Sequence, residues 1–103
     1  MVKFIESELV LLRKEIDEMW TLVYSQLDRA GEAVLTLDKE LARQVVVREK
    51  RVNAFELKID SDVEDIIALY NPVAIDLRFV LAMLKINTNL ERLGDFAESI
   101  ARF

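Results

Sequence analysis

Two short acidic stretches carry the residue types able to do chemistry in this chain. One is Glu91-Arg92-Leu93-Gly94-Asp95. The other is Arg48-Glu49-Lys50-Arg51-Val52-Asn53-Ala54-Phe55-Glu56. In each, oxygen-bearing side chains recur four residues apart, so on a helix they stand one above another on one face. Carboxylate and amide oxygens without imidazole or thiolate suit hard cations such as Mg²⁺, Ca²⁺, Mn²⁺ or oxidised iron. The candidate ligands are Glu49, Asn53, Glu56, Glu91 and Asp95, with Asp60 a more distant member. A competing reading needs no ligand. Arg48, Lys50, Arg51 and Arg92 are interspersed, and Glu49 could pair with Arg92 across two helices, an exposed pair contributing about 0–1 kcal/mol.

The elements that must position these groups are helices. The chain has 103 residues, 52% hydrophobic and 32% charged, with two Gly and one Pro. That composition is too apolar for disorder and leaves few turns, so the elements must be long. Apolar residues at spacings of three and four (Ile5, Leu9, Leu12, Ile16, Met19, Val23, Leu27) predict a first helix over about 2–35. Asp38 is the expected N-cap of a second helix, over about 38–70. Its inward stripe is Leu41, Val45, Val52, Ile59, Val63, Ile66 and Tyr70, with Glu49, Asn53, Glu56 and Asp60 beside it at the border of the core. Tyr70-Asn71-Pro72 breaks the pattern. Pro72 suits the first turn of a third helix over about 72–103. The expected fold is an elongated all-α antiparallel three-helix bundle occupying residues 1–103 as one domain.

The third helix carries two apolar stripes. Ile75, Phe79, Met83, Ile86, Leu90, Leu93, Ala97 and Ile100 form one, and Leu77, Val80, Leu81 and Leu84 the other. One face is needed for the bundle, so the second stripe predicts a further partner, either another domain or a second copy. Trp20, Tyr24 and the five Phe residues, Phe4 among them, fall at core spacing. Gly94 beside Asp95 predicts a close approach of backbone to a neighbour. The chain stops inside a helical pattern at Phe103 without a C-cap signal, which suggests a truncated chain or a missing partner sequence.

If 71–72 is a hairpin between antiparallel helices, residues equidistant from it lie at similar height. Glu91 then falls level with Val52 and Asn53, and Asp95 with Arg48 and Glu49. Both carboxylate ladders would share one groove.

Composition excludes several classes. Cysteine and histidine are absent, which removes disulfides, thiolate and imidazole ligands and His-dependent nucleophiles. A net charge of −5 argues against nonspecific nucleic-acid binding. No run is apolar enough to span a membrane, and Glu6 and Glu8 interrupt any signal-like start, so a cytoplasmic location is expected.

Three segments together resemble the PhoU family: 49–60 (EKRVNAFELKID), 71–78 (NPVAIDLR) and 91–95 (ERLGD). The resemblance covers residues 36–103 strongly and the first helix by general pattern. It implies a three-helix repeat, usually present twice per chain, with a metal cluster on paired acid-x-x-x-acid motifs. Those motifs land here on Glu49 with Asn53, and on Glu91 with Asp95. Asn53 stands where the family has a carboxylate, so the site would hold less negative charge. The resemblance also implies a non-enzymatic regulator of phosphate uptake and phosphate-starvation signalling. Its partners would be a phosphate transporter and a sensor histidine kinase at the inner face of the membrane. A cytosolic domain attached to a sodium/phosphate cotransporter is the related alternative. A structural helical oligomerisation module, a homodimer for instance, is another. A carboxylate-metal hydrolase is disfavoured by the lack of His and of an evident substrate pocket.

Overall fold

The structure, a computed structural model, describes residues 2–103, with side chains from Ile5 onward. Helix α1 spans Val2–Thr36, α2 Lys39–Tyr70 and α3 Ala74–Arg102, and each packs against the other two. The expected all-α three-helix bundle is therefore present. It measures 53 × 18 × 16 Å, the elongated form that helices of 29–35 residues dictate.

The turns follow local chemistry. At the end of α1, Leu37 adopts a left-handed conformation with φ 57°, and the Asp38 N–H reaches back to the Ala33 carbonyl at 3.0 Å. This closes the helix in the way a glycine usually does, at a cost of about 1 kcal/mol for the side chain. Asp38 caps α2 as expected, its carboxylate accepting from the Leu41 N–H at 3.0 Å. Asn71 leaves the right-handed helical region and ends α2 with φ 46° and ψ 57°, a conformation that Asn tolerates better than most residues. Pro72 lies outside α3 and not in its first turn: Val73 is the N-cap, and α3 starts at Ala74, whose own φ of 50° is left-handed. The third helix thus starts two residues later than its sequence pattern suggests.

The main core holds Leu12, Ile16, Met19 and Val23 from α1, Val52, Ile59, Val63 and Ile66 from α2, and Val80 and Leu90 from α3. Complete burial of side chains this size contributes roughly 1.5–3 kcal/mol each. Beyond it, Ala30, Val45 and Ala97 form a smaller cluster where small residues let the three helices close up. The stripes expected on α1 and α2 face the core, with Leu9, Leu27, Leu41 and Tyr70 half-buried and the rest buried.

Helix α3 is rotated relative to its sequence reading. Val80, assigned to the partner-facing stripe, is fully buried, whereas Ile75, Leu93 and Ile100 of the assigned core stripe are exposed. Leu77 and Leu84 are half-buried and Leu81 is exposed. The residues of α3 that are buried are Val80, Asn87, Leu90, Gly94 and Ala97. Small and polar residues occupy the crowded side because α3 approaches its neighbours closely there. The aromatic residues also depart from expectation. Trp20, Tyr24 and Phe96 are 57%, 67% and 62% exposed. Phe103 is exposed too, while Phe55 and Phe79 are half-buried. Phe4 lies outside the described side chains.

Candidate metal centre

Glu49 sits within the buried stripe of α2, between Val45 and Val52, and is only 3% exposed. Expectation put it at the border of the core; the helix carries it fully inside. Neither of its carboxylate oxygens has a hydrogen-bond partner among the described residues. An ionised carboxylate in that position is costly unless a cation neutralises it. Gly94 of α3 makes the burial possible. A Cβ on Gly94 would stand 3.3 Å from both Glu49 oxygens and 2.9 Å from Val52 Cγ1. The missing side chain is the space that the Glu49 carboxylate fills, which is the close approach the sequence led us to expect.

On the same side of α3, Glu91 and Asp95 flank Gly94. One carboxylate oxygen from each of Glu49, Glu91 and Asp95 can be chosen so that all lie within 4.8 Å of one another. The hairpin arithmetic therefore brings these three acids together. Burial first, then the negative fields of Asp95, Glu98 and Glu91, push Glu49 up to about 7. The nearby Asp95 carboxyl adds to the same rise. Glu91 is also raised, by burial and then by its hydrogen bond and repulsion with Asp95 and the field of Glu56, with Arg92 opposing. Glu56 is half-buried and raised by burial, Asp60 and Asp95, so its charge reaches the same groove from one side.

The salt-bridge alternative finds no support at Glu49: among the described residues no base pairs with it, and Arg92 instead opposes the rise at Glu91. Asn53, one turn along from Glu49, is exposed.

Sequence reasoning missed three polar residues around this groove. Asn87 is fully buried, and its amide donates to the Glu56 carbonyl at 3.1 Å and to Asp60 Oδ1 at 3.0 Å, which ties α3 to α2 one helical turn from Glu91. Gln26 of α1 is fully buried and donates to the Val45 carbonyl at 2.7 Å, one turn before Glu49. Glu98 lies one turn beyond Asp95 and pairs with Arg102 at 3.2 Å. The signal for the first two was spacing: Asn87 falls seven residues after Val80, and Gln26 between Val23 and Ala30 on the α1 stripe.

What this arrangement can do is bind a positive ion. Three convergent carboxylate oxygens form a hard donor set of the kind that could hold a metal ion. No side chain present would act as a nucleophile activated by histidine.

Comparison with known proteins places the bundle. The family model described as "PhoU domain" matches residues 16–103. Among curated proteins, the phosphate-specific transport system accessory protein PhoU of Edwardsiella tarda is 42% identical over 93% of this chain and 40% of its own length. The corresponding protein of Escherichia coli is 38% identical over 93% of this chain and 40% of its own. PhoU homolog 1 of Thermotoga maritima is 35% identical over 93% and 41%. The chain thus spans about two fifths of the length of the curated relatives it matches. No solved structure matches it. With three helices in the expected order, a glycine seating the buried acid and a family match over most of its length, the chain belongs to the PhoU family.

Proposed function

We propose that this chain is a PhoU-type regulatory unit of phosphate uptake that works by binding and carries out no reaction of its own. Support comes from relatives whose names describe accessory proteins of a phosphate-specific transport system. On this reading its partners are the phosphate transporter and a sensor histidine kinase, met at the cytoplasmic face of the membrane. Among the described residues no helix is long and apolar enough to cross a membrane.

The groove between α2 and α3 is, on this reading, a metal centre. Glu49, Glu91 and Asp95 supply its core, and Asn53 and Glu56 complete it from the solvent side. The observation that carries the proposal is the buried Glu49 carboxylate, without a hydrogen-bond partner among the described residues and close to two further acids. A hard cation (Mn²⁺, Mg²⁺, Ca²⁺ or iron) bound there would neutralise it and tie α2 to α3. Calorimetric titration with each ion, on wild type and Asp95→Ala, tests this. The expected result is a saturable heat for at least one ion that Asp95→Ala weakens about 100-fold or more, equivalent to roughly 3 kcal/mol. Equal heats from the two proteins would remove the site.

A further inference from the structure

The seam between α1 and α2 is charged differently at its two ends. At one end Lys58 stands between Glu15 and Asp62, 3.3 Å from the first and 2.9 Å from the second. Helical spacing carries each side of that contact along the bundle. Glu15, Leu22 and Arg29 recur every seven residues on α1, and Arg51 precedes Lys58 by seven on α2, so Arg29 and Arg51 share the sides that meet at the Glu15–Lys58 pair. The two contacts between these antiparallel helices, Glu15 with Lys58 and Gln26 with Val45, fix their register. They set Arg29 and Arg48 within about one helical turn of the same height. Arg29 and Arg48 are half-buried, and Lys50 and Arg51 are exposed. Among the described residues none of these four enters an ion pair; the bases that do are Arg43, Lys58 and Arg102. A half-buried guanidinium has lost part of its hydration, and here no carboxylate compensates it.

We propose that Arg29, Arg48, Lys50 and Arg51 form a docking ridge for an acidic segment of a partner protein. Charge is the first argument. The chain carries a net charge of −5, and Asp28 and Glu32 border the ridge on α1, yet the bases outnumber these acids and none of the four is neutralised by contact. An uncompensated basic patch on an acidic molecule steers and orients an anionic partner. Residue type is the second. Three of the four are arginines, whose planar guanidinium grips a carboxylate through paired N–H groups. Shape decides the class of partner. The ridge is about one helix wide and two turns long. An anionic bilayer laid flat along the seam would also meet Glu8, Glu18 and Asp62, which line a cavity with Lys14 and Lys58 at the other end. Past Lys58, α2 holds Asp60, Asp62, Glu64 and Asp65 and no base. A short acidic segment touches the basic end alone and avoids that repulsion.

At about 100° per residue, Arg51 lies on the far side of α2 from Glu49, so docking does not require an ion in the α2/α3 groove. The test is a titration of the 103-residue chain with a fluorescein-labelled deca-glutamate peptide at low salt, followed by anisotropy and by backbone amide NMR. Expected is saturable binding that weakens as salt is raised, with amide shifts confined to residues 25–32 and 44–54. Arg51→Glu should weaken binding about tenfold or more while far-ultraviolet circular dichroism stays helical. Lys85→Glu makes the same change of charge at an exposed position of α3 and should leave the affinity within about twofold of wild type. Arg51 is exposed, so its replacement does not disturb the core. A wild-type chain that ignores the peptide would overturn the proposal. So would equal weakening by Arg51→Glu and Lys85→Glu, shifts centred on α3, or a chain that binds phosphatidylserine vesicles and not the peptide.

Discussion

Two groups of acids in this bundle each contain a glutamate pushed up to about 7, and they differ in one respect. Between α1 and α2, Glu15 is raised by burial and by its proximity to Asp62. There Lys58 Nζ lies 3.3 Å from Glu15 and 2.9 Å from Asp62. Burial opposes ionisation of Asp62, yet the hydrogen bonds from Glu15 and Lys58 bring it below the ordinary carboxylate range. That cluster is self-sufficient: one carboxyl is raised, the other lowered, and a lysine spans both. Between α2 and α3, Glu49 is raised in the same way, but no base among the described residues pairs with it. Crowding of acids is common to both clusters; what separates them is a buried acid without a base among the described residues, and the proposed cation site rests on that difference.

The largest consequence is a pH dependence of stability. A carboxyl raised from 4.5 to about 7 in the fold favours folding while protonated. That contribution is complete below about pH 4.5 and disappears as pH rises through about 7. At 1.36 kcal/mol per pH unit, and reduced for solvent screening, Glu49 accounts for a loss on the order of 2 kcal/mol between pH 5 and 8 in cation-free buffer. Urea unfolding at the two pH values should show this loss shrink in Glu49→Gln, and shrink in wild type when saturating Mn²⁺ is present. Glu15 contributes a loss of the same sign, which Mn²⁺ should leave untouched.

The two glycines sharpen the contrast between crowded and open ground. Gly94→Ala forces a methyl group against Val52 and the Glu49 carboxylate. Overpacking of this kind should cost about 1–2 kcal/mol in thermal unfolding and weaken cation binding as well. Gly31→Ala meets nothing within 4 Å and removes a flexible residue from mid-helix, so it should stabilise by about 0.5–1 kcal/mol.

The smallest expected effect tests the self-sufficient cluster. Lys58 is mostly exposed, so Lys58→Met should change stability at neutral pH by only about 0–1 kcal/mol. It should nevertheless raise the pH at which Asp62 titrates, observable by carboxyl NMR. A loss of several kcal/mol would mean that Lys58 does more than balance charge.

Much of this was legible in the sequence because it rests on short-range rules. Helical spacing located α1 and α2 and their buried stripes, Asp38 announced its cap, and Asn71-Pro72 placed the hairpin that brings Glu49 to Glu91 and Asp95. The rotation of α3 was not legible. Its apolar residues cover more than one side, so periodicity offers two stripes and no means of choosing. The choice is made by how closely helices approach, and small residues such as Gly94 and Ala97 carry that information without hydrophobic weight. Asn87 and Gln26 were missed because an amide reads as surface until a carbonyl across the bundle is found to receive it. Trp20 and Tyr24 were assigned to packing on their spacing, and their exposure shows that an approximate helical spacing does not by itself assign a side.

The account turns on whether Glu49 holds a cation in place of a proton. Electron paramagnetic resonance of Mn²⁺ added to cation-free protein at pH 7.5 tests this directly, since bound ion loses the sharp six-line signal of the free ion. The account predicts that wild type and Glu15→Gln both remove that signal up to a defined stoichiometry, and that Glu49→Gln does not. A six-line signal undiminished by wild-type protein, or diminished equally by Glu49→Gln, would contradict it.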